Sequence, residues 1–204
     1  MCPATLDHER KEAAVQIDCT RLRFSPEDAA QLSRTENNGL LGRAADLLRG
    51  GPPEIEVRSS KQFYYPYYCI RMRMQLAPSK RVQTRAIEAA MTVDGVFGLV
   101  QGIEGTPQTE RLEVPAHRVA RLKCSQDQAV EGVKEFVHQY VYRKFRSYPS
   151  FDSIETALVY KPLYAVGCRK RGKQYYQIID GEMGSKDYVL DIRYSKVTFC
   201  APDP

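Results

Sequence analysis

Two strips of tyrosine and basic residues are the part of this sequence best suited to chemistry with a ligand. Tyrosine rings stack on planar groups, and arginine and lysine bind phosphates and carboxylates, so such strips indicate a surface for a protein, a peptide or a single nucleic-acid strand. The same alternation is also typical of a strand with a buried aromatic face and a solvated basic face. The members of this candidate surface are Tyr65, Tyr67, Arg71, Arg73, Arg169, Lys170, Arg171 and Lys173.

Motifs for catalysis and for cofactor binding are absent from the sequence. It contains no glycine-rich phosphate loop, no serine-nucleophile elbow and no zinc-protease motif. The six cysteines form no Cys-x-x-Cys pair, and the three histidines do not complete a zinc-ligand spacing. We therefore expect no catalytic residue, no metal ligand and no cofactor, and we interpret the cysteines as reduced, structural residues.

Composition and charge limit the class of protein. The chain has 204 residues, of which 43% are hydrophobic and 27% charged, as in ordinary globular proteins, and a net charge of +5 does not require a polyanionic partner. No apolar run approaches the ~20 residues of a membrane-spanning helix, and residues 1–14 are too polar for a signal peptide. The sequence predicts a cytoplasmic protein. The alternative is the extracytoplasmic, soluble part of a longer exported or membrane-anchored chain.

Three short patterns occur twice, in the same order. Their copies are 21–29 and 121–129, 64–68 and 160–164, and 93–98 and 179–184. Ordered matches of this kind indicate duplication of a folded unit. We predict an N-terminal tail at 1–13, a first repeat at 14–118 and a second at 119–204, with Pro66 equivalent to Pro162 and Gly95 equivalent to Gly181.

Each unit is predicted to be a helix followed by an antiparallel meander. Ser25 and Ser125 have the character of helix caps, and the second helix is expected to run to about Arg146. Its predicted buried stripe is Ala129, Val133, Phe136, Val137 and Tyr140. Strands are predicted at 14–24, 55–59, 63–76, 82–93, 154–169, 174–179 and 188–200, with a second helical stretch at 40–48. For 82–93 the alternative is a helix from Arg85 to Met91. The fold class is therefore α+β, as two repeated units that each pack a helix on a meander.

The repeated patterns resemble the PepSY domain and its relatives. The shared features are a helix start with serine, an acid and alanine, at Ser25, Glu27 and Ala29 in the first copy, and a strand that closes on an Asp-Gly element. The second copy carries the same features at Ser125, Asp127, Ala129 and 179–184. The resemblance implies a helix on an antiparallel sheet in each copy, no catalysis, and a role in binding or regulation.

The sequence thus predicts a non-enzymatic binding or regulatory protein whose partner is a protein or peptide, held on a sheet face or an edge strand. The alternative is a basic protein that binds nucleic acid through the arginine- and tyrosine-rich hairpins. The oligomeric state is left open.

The segment from Lys170 to Lys173 separates these two interpretations. We predict that it is an exposed hairpin turn, because Gly172 permits a tight turn and three clustered positive charges resist burial. Changing Lys170, Arg171 and Lys173 to serine should leave stability and peptide affinity unchanged. Titration of the wild type and the triple variant with a single-stranded oligonucleotide at two salt concentrations tests the alternative. In a protein that binds nucleic acid through this turn, the variant would lose affinity for the oligonucleotide and the salt dependence of binding.

Overall fold

The computed structural model describes residues 13–34, 55–77, 85–103, 105 and 107–200. Within these residues the chain forms a mixed sheet of seven strands and three helices. The strands are β1 (Ala14–Thr20), β2 (Glu56–Leu76), β3 (Arg85–Asp94), β4 (Val100–Ile103), β5 (Thr109–Pro115), β6 (Pro149–Lys170) and β7 (Lys173–Asp180). The helices are α1 (Pro26–Arg34), α2 (Gln126–Phe145) and α3 (Tyr188–Arg193), with short 3-10 helices at Ala116–Arg118 and Tyr194–Lys196. The strand order is β4-β3-β2-β6-β1-β5, and β7 pairs with β6.

The two longest strands, β2 and β6, form the spine of the sheet. They pair antiparallel from Glu56 opposite Arg169 to Leu76 opposite Pro149. The tyrosine- and proline-containing patterns meet at the middle of this ladder, where Tyr65 lies opposite Lys161. The sequence predicted two separate strands at 55–59 and 63–76, but the structure joins them into the single strand β2.

Pro66 and Pro162 fit inside this sheet because the nitrogen of each faces away from the ladder between β2 and β6. A proline has no N–H to donate, so it is tolerated only where the ladder does not need one. The carbonyl of Pro66 accepts the N–H of Gly95 at 2.9 Å, and that of Pro162 accepts the N–H of Gly181 at 2.8 Å. Since the nitrogen and carbonyl of a strand residue point to the same edge, neither proline removes a bond between β2 and β6.

The two Asp-Gly sequences end β3 and β7 in turns that have the same hydrogen bonds. Asp94 Oδ1 accepts the N–H groups of the second and third residues that follow it, at 2.7 and 2.9 Å. Asp180 Oδ1 accepts the corresponding N–H groups at 2.8 and 3.1 Å. The turns close at Gly98 and Gly184, whose φ angles of 69° and 66° lie in the left-handed region that favours glycine.

The prediction of two separate helix-on-meander units is wrong. Because β2 and β6 pair with each other, one continuous sheet forms, and each helix covers the half that was assigned to the other repeat. α2 packs on β2 and β3, with Ala129 and Val133 in one core cluster with Ile70 and Val93. α1 packs on β6 and β7, where Ala29 lies in a cluster with residues of both strands. Duplication as the origin of the repeated patterns stays a prediction.

The Asp-Gly turns also hold the chain that leads into each of these helices. The carbonyl of Gly95 accepts the N–H groups of Lys123 and Cys124, both at 2.9 Å. The carbonyl of Gly181 accepts those of the two residues before Ser25, at 2.8 and 3.0 Å. Each helix start is therefore fixed to a turn that lies far from it in sequence.

The predicted stripe of α2 is only partly buried. Ala129, Val133 and Val137 lie in the core, but Phe136 is 41% exposed and Tyr140 is 50% exposed, so for these two the prediction is wrong. The buried residues recur every fourth position and form a narrow stripe, because α2 covers only one sheet face. Phe136 and Tyr140 lie on the flank of that stripe, beside the edge of the sheet.

The strands predicted at 188–200 are instead the helix α3 and a 3-10 helix. Asp187 caps α3 by accepting the N–H groups of Val189 and Leu190, at 3.1 and 2.9 Å. Asp191 accepts the N–H of Ile178, a β7 group that no neighbouring strand pairs among the described residues. The capping and this bond favour a helical turn over a strand. The predicted helix at 40–48 lies outside the described residues.

No helix in the described part of the chain is both long enough and apolar enough to cross a bilayer.

Glycine at 95 and 181 is required by close approach of the backbone, which a substitution can test. A Cβ at Gly95 would lie 2.9 Å from the Pro66 carbonyl oxygen, and one at Gly181 would lie 2.7 Å from that of Pro162. We expect Gly95→Ala and Gly181→Ala each to lower the free energy of unfolding by about 1–3 kcal/mol, as overpacking does. Urea denaturation measures this.

Gly102→Ala is the matched control, because its Cβ would find Met91 Sδ at an ordinary 3.8 Å. Its stability should equal or slightly exceed that of the wild type. Equal stability of all three variants would contradict the packing of the two turns.

Candidate binding site

The structure places the predicted tyrosines in the interior. Tyr65 has no exposed surface, and its hydroxyl donates to the Asp94 carboxylate at 2.9 Å. Tyr67 is half-buried against Tyr65, and the Nζ of Lys161 lies 5.3 Å from the centre of its ring. Burial, and then the charge of Asp187, raises the pKa of Tyr67 well above its usual value. Tyr65 therefore offers no surface to a ligand, and Tyr67 offers little.

The predicted basic residues lie at the surface but in two separate places. Arg71 and Arg73 are exposed near one end of β2, whereas Glu56, at its other end, pairs with Arg169. Fifteen residues of strand separate positions 56 and 71, which is about 50 Å. The structure does not join the two basic strips into one surface.

The segment 170–173 is a hairpin turn, as predicted. Lys170 pairs with Lys173, and the two residues between them, Arg171 and Gly172, have φ angles of 50° and 81°. Two successive positive φ angles are typical of a two-residue turn between antiparallel strands. The turn from Arg171 to Lys173 is exposed.

Asp180 and the buried thiols of Cys19 and Cys168 lie in structural surroundings. Asp180 holds its turn and lies 3.6 Å from Lys161 Nζ. Burial raises the pKa of Cys19 to about 12 and that of Cys168 to about 11, so these thiols are poor nucleophiles at neutral pH. The cysteines at 19, 69, 124, 168 and 200 are free. No group of three or more histidine, cysteine, aspartate or glutamate side chains in the described residues could hold a metal ion.

The outer edge of β3 is the feature that sequence reasoning missed. β4 pairs only with the stretch from Ala90 to Val93. Among the described residues, the stretch from Arg85 to Ala89 has no strand on that side. Asp94 donates its N–H outward to Leu99 at 2.9 Å, and strand residues alternate, so Glu88 and Ala86 also present their N–H and C=O groups outward.

A groove of about 980 Å³ wraps this edge. On one side are the exposed rings of Phe136 and Tyr140 and the β3 residues Ala89 and Met91. On the other side are Arg71, Glu88 and Ala90, and the end of β4 closes the groove along its length. The groove therefore has the place of one further strand, in line with β4.

A smaller cavity of about 280 Å³ adjoins the groove on the face opposite α2. Its floor includes Cys69 and Ala157, and it shares Arg71 and Ile103 with the groove. The chain from β4 to β5 crosses the sheet here, because β5 lies beyond β6, and Gly105 and Pro107 line the cavity. A segment bound in the groove could extend one side chain into this space.

One signal in the sequence could have identified the groove. The apolar stripe of α2 is wider than a helix needs to cover one sheet face, since it includes Phe136 and Tyr140 beside the four residues that are buried. Large exposed apolar side chains next to a free strand edge indicate a contact with another chain.

No family model, curated protein or solved structure matches this chain. The resemblance to PepSY-like domains accordingly stays a prediction, and the proposed function rests on the geometry of the groove.

Tyr65 gives a test of its placement in the core. Burial, and then the Asp94 charge, raises the pKa of its hydroxyl above the usual value, so the folded state favours the neutral tyrosine. The stability that the neutral Tyr65 hydroxyl contributes is therefore fully present below the unfolded pKa of about 10, and it is lost as the pH rises above that value. Tyr65→Phe should lower the free energy of unfolding at neutral pH by about 1–3 kcal/mol, because Asp94 loses a donor.

The same variant should lose stability less steeply above pH 10, by up to about 1.4 kcal/mol per pH unit. Denaturant titrations between neutral pH and pH 11 measure both effects. Tyr188→Phe, at a side chain that is 60% exposed, is the control and should match the wild type. If the stability of Tyr65→Phe changed with pH in parallel with that of the wild type, Tyr65 would ionise as readily in the folded state as in the unfolded state, which would contradict its placement in the core.

Proposed function

We propose that the protein is a non-enzymatic binding protein that captures an extended peptide segment as an additional strand on the outer edge of β3. The observation that carries this proposal is the stretch from Arg85 to Ala89, whose outer side no other described strand pairs. It lies between exposed Phe136 and Tyr140 and the opposite sheet face. Main-chain hydrogen bonds give such complexes affinity, and pockets for alternate side chains give them specificity.

The backbone groups of Ala86 and Glu88 supply the hydrogen bonds. Each presents one donor and one acceptor to an incoming strand, which continues the ladder that β4 forms from Ala90 onward. An unpaired edge is a ready template for a strand of another chain. Glu88 carries a charge on this edge, which disfavours indiscriminate pairing.

The rings of Phe136 and Tyr140 supply the apolar contact. About half of each side chain is exposed, so a partner side chain can cover it without any change in α2. Covering that area contributes about 2 kcal/mol per ring. Aromatic residues of this kind are typical anchors of protein interfaces.

Charge defines the end of the groove away from β4. Arg85 lies opposite Leu76, so by alternation its side chain is on the α2 side of the sheet, as those of Ile87 and Ala89 are. Arg143 follows Tyr140 by three residues and lies on the same side of α2. A matching partner therefore has an acidic side chain opposite Arg85 and apolar side chains at the next two alternate positions.

The alternative function, binding of nucleic acid by the two basic strips, has less support. The strips lie about 50 Å apart along β2, and an interface would need to bridge that length. Arg71 and Arg73 also have carboxylates opposite them in the sheet, at Glu155 and Glu88.

Selection from a random peptide library tests the proposed partner. We expect enrichment of short extended sequences with one acidic residue and two apolar or aromatic residues at alternate positions. The affinity of a selected peptide is then measured by fluorescence anisotropy. Enrichment of proline-rich or helical peptides, or of none, would contradict strand addition.

Variants locate the bound peptide. Phe136→Ala and Tyr140→Ala should each weaken binding about tenfold or more with little change in stability, because each removes roughly 2 kcal/mol of contact. Tyr142→Ala is the control, since Tyr142 is similarly exposed but stacks on Tyr148, away from the groove. Equal affinities of all three variants would refute the groove as the site.

Ala86→Pro tests the main-chain bonds. The substitution removes an outward N–H and leaves the ladder between β2 and β3 intact, so affinity should fall while stability holds. Sedimentation of the free protein identifies the other occupant, a second copy of this chain. A dimer that Ala86→Pro converts to a monomer would overturn the proposal of a peptide partner.

A further inference from the structure

A second edge lies on β2, between Val57 and Phe63, where no described strand pairs on the side away from β6. β3 pairs with β2 only from Tyr67 onward, and the adjoining bridge joins Tyr64 to Val119. A cavity of about 540 Å³ occupies this edge. It is separate from the β3 groove, because Lys61 and Arg71 are ten residues apart on β2, or about 30 Å.

Three basic side chains line this cavity. Lys61 comes from β2, and His117 and Arg118 come from the 3-10 helix that follows β5. The residues known to line it include no aspartate or glutamate within the described ranges. Neither Lys61 nor Arg118 forms an ion pair with any other described residue. The positive charges of Lys61 and Arg118 therefore lie at this cavity without an ion pair to another described residue.

Two partly exposed rings, Tyr194 and Phe199, form one wall, and the buried ring of Phe63 supports them. Phe63 lies 5.5 Å from Tyr194 and 5.7 Å from Phe199, centre to centre, and the latter two are 6.4 Å apart. Mutual contact holds the rings in place, so the wall is present before any ligand arrives. A planar aromatic ligand can pack on such rings without reordering them.

Ser60 adds an unused hydrogen-bonding group. It lines the cavity, and its buried Oγ has no hydrogen-bond partner among the described residues. A buried hydroxyl that lacks a partner costs about 1–3 kcal/mol, a cost that a ligand acceptor would remove. By alternation Ser60 faces the α1 side of the sheet, whereas Lys61 and Phe63 face the other side. The cavity wraps the edge of β2 and so borders the cations, the aromatic wall and this hydroxyl together.

We propose that this cavity binds a small planar aromatic compound that carries a phosphate or carboxylate group. The aromatic part packs on Tyr194 and Phe199, which Phe63 supports from the core, and the anionic group lies between Lys61 and Arg118. Arginine and lysine bind both kinds of anion through charge-assisted hydrogen bonds. The site does not depend on peptide binding at β3, so either proposal can fail alone.

Calorimetric titration with four small probes separates the contribution of the aromatic ring from that of the negative charge. Phenyl phosphate and benzoate carry both a ring and a charge, inorganic phosphate carries only charge, and benzyl alcohol carries only the ring. We expect saturable binding of phenyl phosphate or benzoate, and at least about tenfold weaker binding of the other two, which is about 1.4 kcal/mol. The tighter of the first pair identifies the anion. Inorganic phosphate that binds as tightly as either, or no saturable binding, would overturn the proposal.

Variants tie the binding to the cavity. Lys61→Gln combined with Arg118→Gln should weaken binding of the tighter-binding probe at least about tenfold. Arg73→Gln, which changes an exposed arginine elsewhere on β2, should leave that affinity unchanged. Ser60→Ala should weaken binding without lowering the denaturation midpoint, because it removes a hydroxyl that no described residue bonds. Unchanged affinity in the double variant would refute the site.

Discussion

The pairing of β2 with β6 is the constraint on which the rest of the structure depends. The two strands come from distant parts of the chain, yet they run antiparallel along almost their whole length. Every other element is placed by this ladder. β3 extends it on one side and β7 on the other. The helices α1 and α2 lie on the face formed by alternate residues such as Ile70 and Tyr164, and α3 packs Leu190 on the opposite face. Loss of the ladder would expose both faces of the sheet at once.

The ladder also explains why the two halves of the chain, which correspond to the predicted repeats 14–118 and 119–204, depend on each other. Each Asp-Gly turn ends a hairpin and binds, through its glycine carbonyl, the chain that enters a helix of the other half. The hydroxyls of Tyr68 and Tyr164 add the same link, since they donate to the carbonyls of Cys124 and Phe24 at 3.1 and 2.8 Å. Neither half could keep its core clusters alone, because each cluster takes its helix from the other half.

Both proposed sites lie where a long strand continues past its neighbour. β3 continues beyond β4 at Arg85 to Ala89, and β2 continues beyond β3 between Val57 and Phe63. A sheet edge offers hydrogen-bonding groups at fixed spacing with side chains on both faces. What covers each edge decides its chemistry. Phe136 and Tyr140 make the β3 edge apolar, and Lys61 and Arg118 make the β2 edge basic.

Several local structures could be predicted from the sequence alone. Ser125 begins α2 with a capping box, Arg171-Gly172 turns the chain, and Asp-Gly ends β3 and β7, because each depends on side chains within a few residues. The partners of the strands were decided only by tertiary structure. Whether Tyr65 is a ligand contact or core, and whether Phe136 is buried or exposed, depends on which strand lies beside β2 and where β4 ends. Periodicity assigns a residue to a face of its strand or helix, but residues distant in sequence decide what covers that face.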